Sequence, residues 1–317
     1  MTLPPKKLSI IIPSYNEEKC IPIFTERMVP IEADMSNAYN LEFEYIFIDD
    51  GSTDATLKLL RQLSQKTPHL SFISFSRNFG KEAAILAGLK SATGDYLAIM
   101  DADLQDPPEL LPQMYTAILT ENFDCIATRR LNRKGEPFLR TVLTKIFYSL
   151  INKISDTQII DGARDYRLMT RQVAEAVLSL SEYNRFSKGL FSWVGFSTKW
   201  IDFEYVPRAA GESKWSFAKL LWYSFDGILA FSVKPLAVSS FLGILFCIFA
   251  FLGILFLVVR RMLFGDPVAG WASTVTIVLF VGGVQLFCTG ILGQYLAKLY
   301  TEGKGRPIYI IKERSDD

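Results

Sequence analysis

Asp101-Ala102-Asp103-Leu104-Gln105-Asp106 directly follows the apolar run Tyr96-Leu97-Ala98-Ile99-Met100. A short strand ending in two carboxylates spaced i, i+2 delivers both to the carboxyl edge of a sheet, where open α/β sheets bind their ligands. Carboxylate oxygens suit a hard divalent cation, which in turn holds the phosphates of a nucleotide. An isolated Asp-x-Asp is more often a solvated acidic turn, so the reading depends on its company. Pro13-Ser14-Tyr15-Asn16-Glu17-Glu18 follows an apolar run at 8–12, and Asp49-Asp50-Gly51-Ser52-Thr53-Asp54 follows another at 43–48. An Asp at such an edge accepts from a base N–H or a ribose hydroxyl, and a Tyr such as Tyr15 stacks on a base. Each motif taken singly is a turn, Asp50-Gly51 being a common turn dipeptide. Their conjunction points to a site.

The elements that must position these residues follow a βαβα rhythm. Strands are predicted at 8–12, 43–48, 71–75, 96–100 and 123–127. Segments between them, such as 53–65 and 81–92, carry apolar residues at three- and four-residue spacing, the mark of amphipathic helices. Ser52 and Asp54 are candidate caps for the helix after strand 43–48. The expected fold class is α/β, a mainly parallel sheet with helices on both faces. No repeat or low-complexity segment is evident.

Composition sets limits. The 317 residues hold 34 Lys+Arg and 33 Asp+Glu, a formal charge of +1, so no global field argues for nucleic acid as a partner. Cys20, Cys125, Cys247 and Cys288 show neither metal spacing nor a disulfide framework, and reduced thiols facing a cytosol are expected. Ile10-Ile11-Ile12 stops at Pro13, too short for the apolar core of a signal peptide. His69, the one histidine, sits on a Thr-Pro turn and is expected to be structural or solvent-facing.

Near residue 211 the character changes. Segments 235–259 and 271–297 carry no charge. At about 1.5 Å rise per residue, each is long enough to cross a hydrocarbon core of roughly 30 Å. The short connection 260–270 makes them a hairpin with both flanks on one side. Those flanks carry Lys214, Lys219, Lys234, Lys298, Lys304, Arg306, Lys312 and Arg314, against Arg260 and Arg261 in the connection. This bias places both termini in the cytoplasm. Between soluble part and first span, Lys214-Trp215-Ser216-Phe217-Ala218-Lys219-Leu220-Leu221-Trp222-Tyr223 suits a helix lying in the headgroup plane. The expected organisation is a catalytic domain at 1–210, an amphipathic juxtamembrane segment at 211–233, the hairpin at 234–297 and a cytoplasmic tail at 298–317. Gly282, Gly283, Gly290 and Gly293 on the second span permit close helix contact, compatible with a homo-oligomer.

In this order, P-S-Y-N-E-E, D-D-G-S-T-D and D-A-D-L-Q-D-P-P-E resemble the family 2 glycosyltransferases of the GT-A fold. The two spans, with G-E-S-K-W before and K-G-R-P-I-Y after, make nearly the whole chain similar to polyisoprenyl-phosphate glycosyltransferases, the group of bactoprenol glucosyltransferases and dolichol-phosphate mannose synthases. The resemblance implies that Pro13, Tyr15, Glu17, Asp49 and Asp50 hold the nucleoside, with Asp101 and Ala102 near ribose and phosphate. It implies that Asp103 and Gln105, beside Asp101, bind Mg²⁺ or Mn²⁺ on the diphosphate. Arg77 and Lys81 add positive charge after strand 71–75. For the lipid phosphate it implies Arg129, Arg140 and Thr144, where the mannose synthases have an Arg, an Arg and a Ser. Arg130, Arg133 and Arg208 are further basic candidates, Arg208 lying just before Gly211-Glu212-Ser213-Lys214. Arginine's planar fork suits phosphate.

In Asp161-Gly162-Ala163-Arg164-Asp165-Tyr166-Arg167, the resemblance places an Asp near the transferred sugar, Asp165 first and Asp161 second. A phosphate monoester, with a second pKa of about 6, is already a charged nucleophile at neutral pH. A positioning role, toward a sugar hydroxyl or Arg167, is therefore expected rather than a general base. The Q-x-x-R-W motif of processive synthases is missing, and Tyr183-Asn184-Arg185-Phe186 stands in that region, so single transfer is expected. The resulting expectation is inverting transfer of one hexose from a nucleotide sugar, foremost UDP-glucose, to a polyisoprenyl phosphate such as undecaprenyl phosphate. GDP-mannose, UDP-N-acetylglucosamine and an aminoarabinose donor are the alternatives within the class. A non-catalytic sugar-nucleotide sensor or flippase partner is the alternative outside it. A glycosidase fits poorly, because Asp101 and Asp103 share one strand end and do not flank a bond from two sides.

Overall fold

The structure, a computed structural model, describes residues 5–131, 160, 162–204, 232–264 and 270–315. Its strands are β1 (Lys6–Ser14), β2 (Leu41–Asp49), β3 (Leu70–Phe75), β4 (Tyr96–Ile99), β5 (Cys125–Arg130), β6 (Ala163–Thr170), β7 (Thr198–Phe203) and β8 (Ile311–Arg314). The helices are α1 (Cys20–Tyr39), α2 (Thr56–Lys66), α3 (Lys81–Ser91), α4 (Leu111–Thr120), α5 (Arg171–Ser179), α6 (Ser187–Trp193), α7 (Lys234–Phe264) and α8 (Trp271–Gly303). The chain divides into two compact units, one holding the sheet and including 307–317, the other holding α7 and α8.

In the sheet unit, the strands form one mixed sheet in the order β7-β5-β6-β4-β1-β2-β3-β8. β4, β1, β2 and β3 run parallel. β6 lies antiparallel between β4 and β5, and β8 lies antiparallel on the outer edge of β3. The five expected strands are all present, and the mixed character comes from β6 and β8. Alternation sorts the apolar side chains of β1. Leu8, Ile10 and Ile12 enter a core beneath α1, α2 and α4, while Ile11 enters a second core with α3, α5 and Phe191 of α6. These isoleucines are fully buried, each worth about 1.5–3 kcal/mol of transfer from water. Gly88 of α3 lets that helix close on β1, since a Cβ there would stand 2.2 Å from Cγ2 of Ile11.

Capping at α2 differs in detail from expectation. Asp54 accepts the N–H of Thr56 at 2.9 Å, whereas the Ser52 hydroxyl accepts from Asn16 instead. His69 pairs with Glu32 at 3.1 Å on the surface, a structural role as expected.

In the second unit, α7 has 31 residues and α8 has 33. Lys234–Gly253 and Phe280–Gly303 have mean hydropathies of 2.4 and 1.3, and both helices are long and apolar enough to cross a membrane. Many of the described large apolar side chains on them stand uncovered, Phe251 being 67% and Leu286 76% exposed. The helices run antiparallel. The rings of Phe246 and Phe280 meet at 5.4 Å, and the Tyr295 hydroxyl donates to the carbonyl of Ser232 at 2.6 Å. A Cβ on Gly282, Gly283, Gly290 or Gly293 would meet nothing within 4 Å, so these glycines do not serve the contact with α7.

Candidate functional site

The carboxyl ends of β1, β2 and β4 lie side by side, and hydrogen bonds knit their loops together. Asn16, in the left-handed region at φ 55, donates its N–H to Ser52 and accepts from Thr53 N–H through its side chain at 2.8 Å. Glu17 N–H donates to the Thr56 hydroxyl, and the Glu18 carboxylate accepts from Ala55 N–H, both at 2.9 Å. Pro13 lies opposite Ile48 and Ser14 opposite Asp49, where the β1 pairing ends, and Tyr15 just beyond is 36% exposed.

Asp49 and Asp50 are both buried, and each already serves the backbone of this region. Asp49 accepts from Ser52 N–H at 3.0 Å and from the Ser74 hydroxyl at 2.7 Å. Asp50 accepts from Phe79 N–H at 2.6 Å and Gly80 N–H at 2.9 Å, fixing the 76–80 loop to β2. Burial pushes the Asp50 carboxyl up to about 6, against the lowering effect of those two N–H groups. Gly51, at φ +65, lets the two loops touch, because a Cβ there would lie 2.4 Å from the Arg77 backbone. The Arg77 guanidinium stands 4.1 Å from the centre of the Phe79 ring.

Lys81 is the hinge of the site. Its ammonium lies 2.8 Å from one Asp101 oxygen and also contacts the Asp165 carboxylate, joining β4 to β6. Burial works against its charge, but the two carboxylates more than offset this and raise its pKa. Burial likewise opposes ionisation of Asp165, yet Lys81 and then Lys188 hold it well below the usual carboxylate range. Arg167 is buried, with its guanidinium 3.9 Å from the centre of the Phe191 ring. It donates to the backbone carbonyl of Asp165 at 3.3 Å, not to its carboxylate. Beyond β4, Ala102 is buried, Asp103 accepts from Gln105 N–H at 3.1 Å, and Leu104 adopts φ 57. A left-handed leucine is a strained backbone position of the kind that collects at functional sites. Asp106, also buried, accepts from Arg164 at 2.7 Å, while its second oxygen has no hydrogen-bond partner among the described residues. Burial pushes its carboxyl up to about 6 despite Arg164.

The structure thus brings together Tyr15, Glu17, Asp49, Asp50, Arg77, Lys81, Asp101, Asp103, Gln105 and Asp165 around three strand ends. Arg129 lies on β5 and makes a two-pronged pair with Asp202 of β7 at 2.7 and 2.9 Å. Asp161, Arg133, Arg140, Thr144, Arg208, Ser213, Lys214 and the juxtamembrane segment through 231 lie outside the described residues. Sequence reading missed the partners Arg164, Glu82 and Lys188 and the tie between Glu82 and Ser187. Glu82 accepts from Ser187 N–H at 2.9 Å and from its hydroxyl, locking α3 to the first residue of α6. Its adjacency to Lys81 was the available signal. Among the described residues, no group of three His, Cys, Asp or Glu side chains is arranged to hold a metal. The acidic strand end offers two carboxylates and the Gln105 amide.

Residues 9–178 match the sequence profile of "Glycosyl transferase family 2". CsbB of Bacillus subtilis (strain 168), whose name assigns it provisionally to the glycosyltransferases, is 42% identical over 96% of this chain and 91% of its own length. The bactoprenol glucosyl transferase of Shigella phage SfX is 39% identical over 97% of this chain and 99% of its own. Among solved structures, glucosyl-3-phosphoglycerate synthase from Mycobacterium tuberculosis is a remote likeness. Its TM-score is 0.44 at 18% identity, with 71% of this chain and 77% of that chain covered.

Proposed function

The chain belongs to glycosyl transferase family 2 and is a glycosyltransferase; from that premise we propose that it transfers one glucose from UDP-glucose to undecaprenyl phosphate at the cytoplasmic membrane face. The observation that carries this reading is coverage. The family profile ends at residue 178, yet the match to the bactoprenol glucosyl transferase extends over 97% of the chain and so includes the two apolar helices. A lipid-linked acceptor gives such a hairpin a purpose.

The chemistry follows from the charges at the strand ends. An acceptor phosphate oxygen forms a bond to C1 of the sugar while the bond from C1 to the UDP oxygen breaks, in line, so the anomeric centre inverts. The nucleophile arrives ionised, and no base is required. Asp165, already paired with Lys81 and held ionised, is poorly suited to take a proton and well suited to orient the sugar. Pro13, Tyr15, Glu17, Asp49 and Asp50 shape the nucleoside pocket, with Ala102 against the ribose and Arg77 and Lys81 supplying positive charge near the diphosphate.

The carboxylates of Asp101 and Asp103 with the Gln105 side-chain oxygen are hard donors that would hold Mg²⁺ or Mn²⁺. Such an ion supplies Lewis-acid stabilisation of the departing UDP. Arg129, Arg133, Arg140, Thr144, Arg208, Ser213 and Lys214 are the proposed contacts of the acceptor phosphate. Segment 211–233 is proposed to lie along the headgroups and α7 and α8 to span the bilayer, with both termini cytoplasmic.

A panel of radiolabelled donors tests this reading. The purified chain is incubated with undecaprenyl phosphate and UDP-glucose, GDP-mannose, UDP-N-acetylglucosamine or an aminoarabinose donor, with and without chelator, then extracted into organic solvent. Label is expected in the lipid phase from UDP-glucose, lost with chelator and restored by Mg²⁺ or Mn²⁺. Label from another donor alone reassigns the sugar, and label from none overturns the reading.

A further inference from the structure

The C-terminal tail of the sheet unit is built into the back of the same site. After α8 the chain returns as β8, antiparallel to β3, with Ile73 opposite Arg314 and a register shift between Ser74 and Phe75. Where the register shifts, Ser76 N–H donates to the Ile310 carbonyl at 3.0 Å, and further along Ser315 N–H donates to Phe72 at 3.0 Å. Arg61 of α2 clasps Glu313 at 2.7 Å. Just before these ties the Tyr309 ring stacks on Phe75, centroids 4.9 Å apart and planes within 15°. Phe75 in turn meets Phe79 edge to face at 5.8 Å. Phe79 is the residue whose N–H Asp50 holds, and Lys81 follows two positions later.

The ladder Tyr309–Phe75–Phe79 therefore runs from the tail to the 76–80 loop, and that loop has Asp50 as its other anchor. We propose that Tyr309 is a positioning residue for the nucleotide donor. The tail, through this aromatic ladder, sets the position of the 76–80 loop and hence donor affinity. Tyr309 touches no substrate. The inference rests on the reading of this strand edge as the donor site.

The test uses the full chain in detergent and UDP as probe. Tyr309→Leu and Tyr309→Ala are expected to raise the Kd for UDP and the KM for UDP-glucose by about 3–10-fold, the scale of one aromatic pair. The kcat and the KM for undecaprenyl phosphate stay within about twofold, and Tyr309→Phe behaves as wild type because the ring stack survives. An unchanged donor Kd in Tyr309→Leu overturns the inference, as does an equal loss toward donor and acceptor. Asp50→Asn separates the two readings. If it leaves UDP binding unchanged, the donor-site reading fails; if it weakens binding while Tyr309→Leu does not, only the tail inference fails. Should the variants not fold, hydrogen exchange of the wild-type chain decides. Coupling is reciprocal, so UDP must slow exchange both at 76–80 and at 310–315. A tail whose exchange ignores UDP contradicts the proposal.

Discussion

Lys81 occupies the first residue of α3, where the helix dipole disfavours a cation. It is held there by Asp101 and Asp165, so the three side chains act as one unit. Lys81→Met is expected to lower turnover by roughly 10–100-fold, because the two carboxylates then repel each other across the space the ammonium filled. Asp165→Asn in that background adds less than it does alone, with a coupling of about 0.5–3 kcal/mol in urea denaturation; strictly additive effects would contradict the triad. Asp50 carries a pH signature. Its carboxyl titrates at about 6 when folded and near 3.8 when unfolded. Between those values the folded chain keeps a proton that the unfolded chain has shed. Stability from this group therefore falls as pH rises from about 4 to about 6, then levels, and Asp106 acts in the same direction. Asp50→Asn should remove its share of that decline in melting temperature between pH 4 and 7; an unchanged slope refutes the assignment. The acidic and polar strand ends were legible in the sequence because each follows an apolar run. Arg164, Glu82 and Lys188 were not, since nothing local reveals which charges share a buried space.

Among elements, the parallel strands were legible because β1 to β4 are rich in apolar residues, most of them buried on both faces of the sheet. β6 was not. Its Ala163-Arg164-Asp165-Tyr166-Arg167 reads as a polar cluster, yet it pairs with β4 and β5 as an interior strand, with Lys81 and Asp106 answering the charges of Asp165 and Arg164. β8, with alternating burial over four residues, carries too little pattern to be seen without β3 beside it. α6 has seven residues, and its first residue is fixed by Glu82 of α3. Glu82→Ala is expected to destabilise the chain by about 1–3 kcal/mol, by leaving the Ser187 N–H buried without its acceptor. Ser187→Ala should cost less, about 0.5–1.5 kcal/mol, since only the hydroxyl bond is lost. Equal stability of wild type and Glu82→Ala in urea would show that α6 is held by its apolar contacts alone.

At the scale of the whole molecule, a sheet unit carries the polar strand ends and a separate unit carries two long apolar helices. Exposed phenylalanines and leucines along those helices are unfavourable in water and favourable in lipid. The chain should therefore stay with membranes through an alkaline carbonate wash, and its release into the wash would contradict a spanning hairpin. Hydropathy made this division legible in the sequence, whereas the acceptor contacts proposed at 133–144 and 208–214 rest on resemblance. The central claim is that the carboxylates after β4 drive transfer of glucose to a lipid phosphate. Its most direct measurement is the single-turnover rate of label transfer from UDP-glucose to undecaprenyl phosphate by the wild-type chain and by Asp103→Asn. The account predicts a loss of about 100-fold or more in the variant, the scale of removing one preorganised charge contact, with the fold intact by circular dichroism. A variant that transfers glucose at the wild-type rate would contradict it.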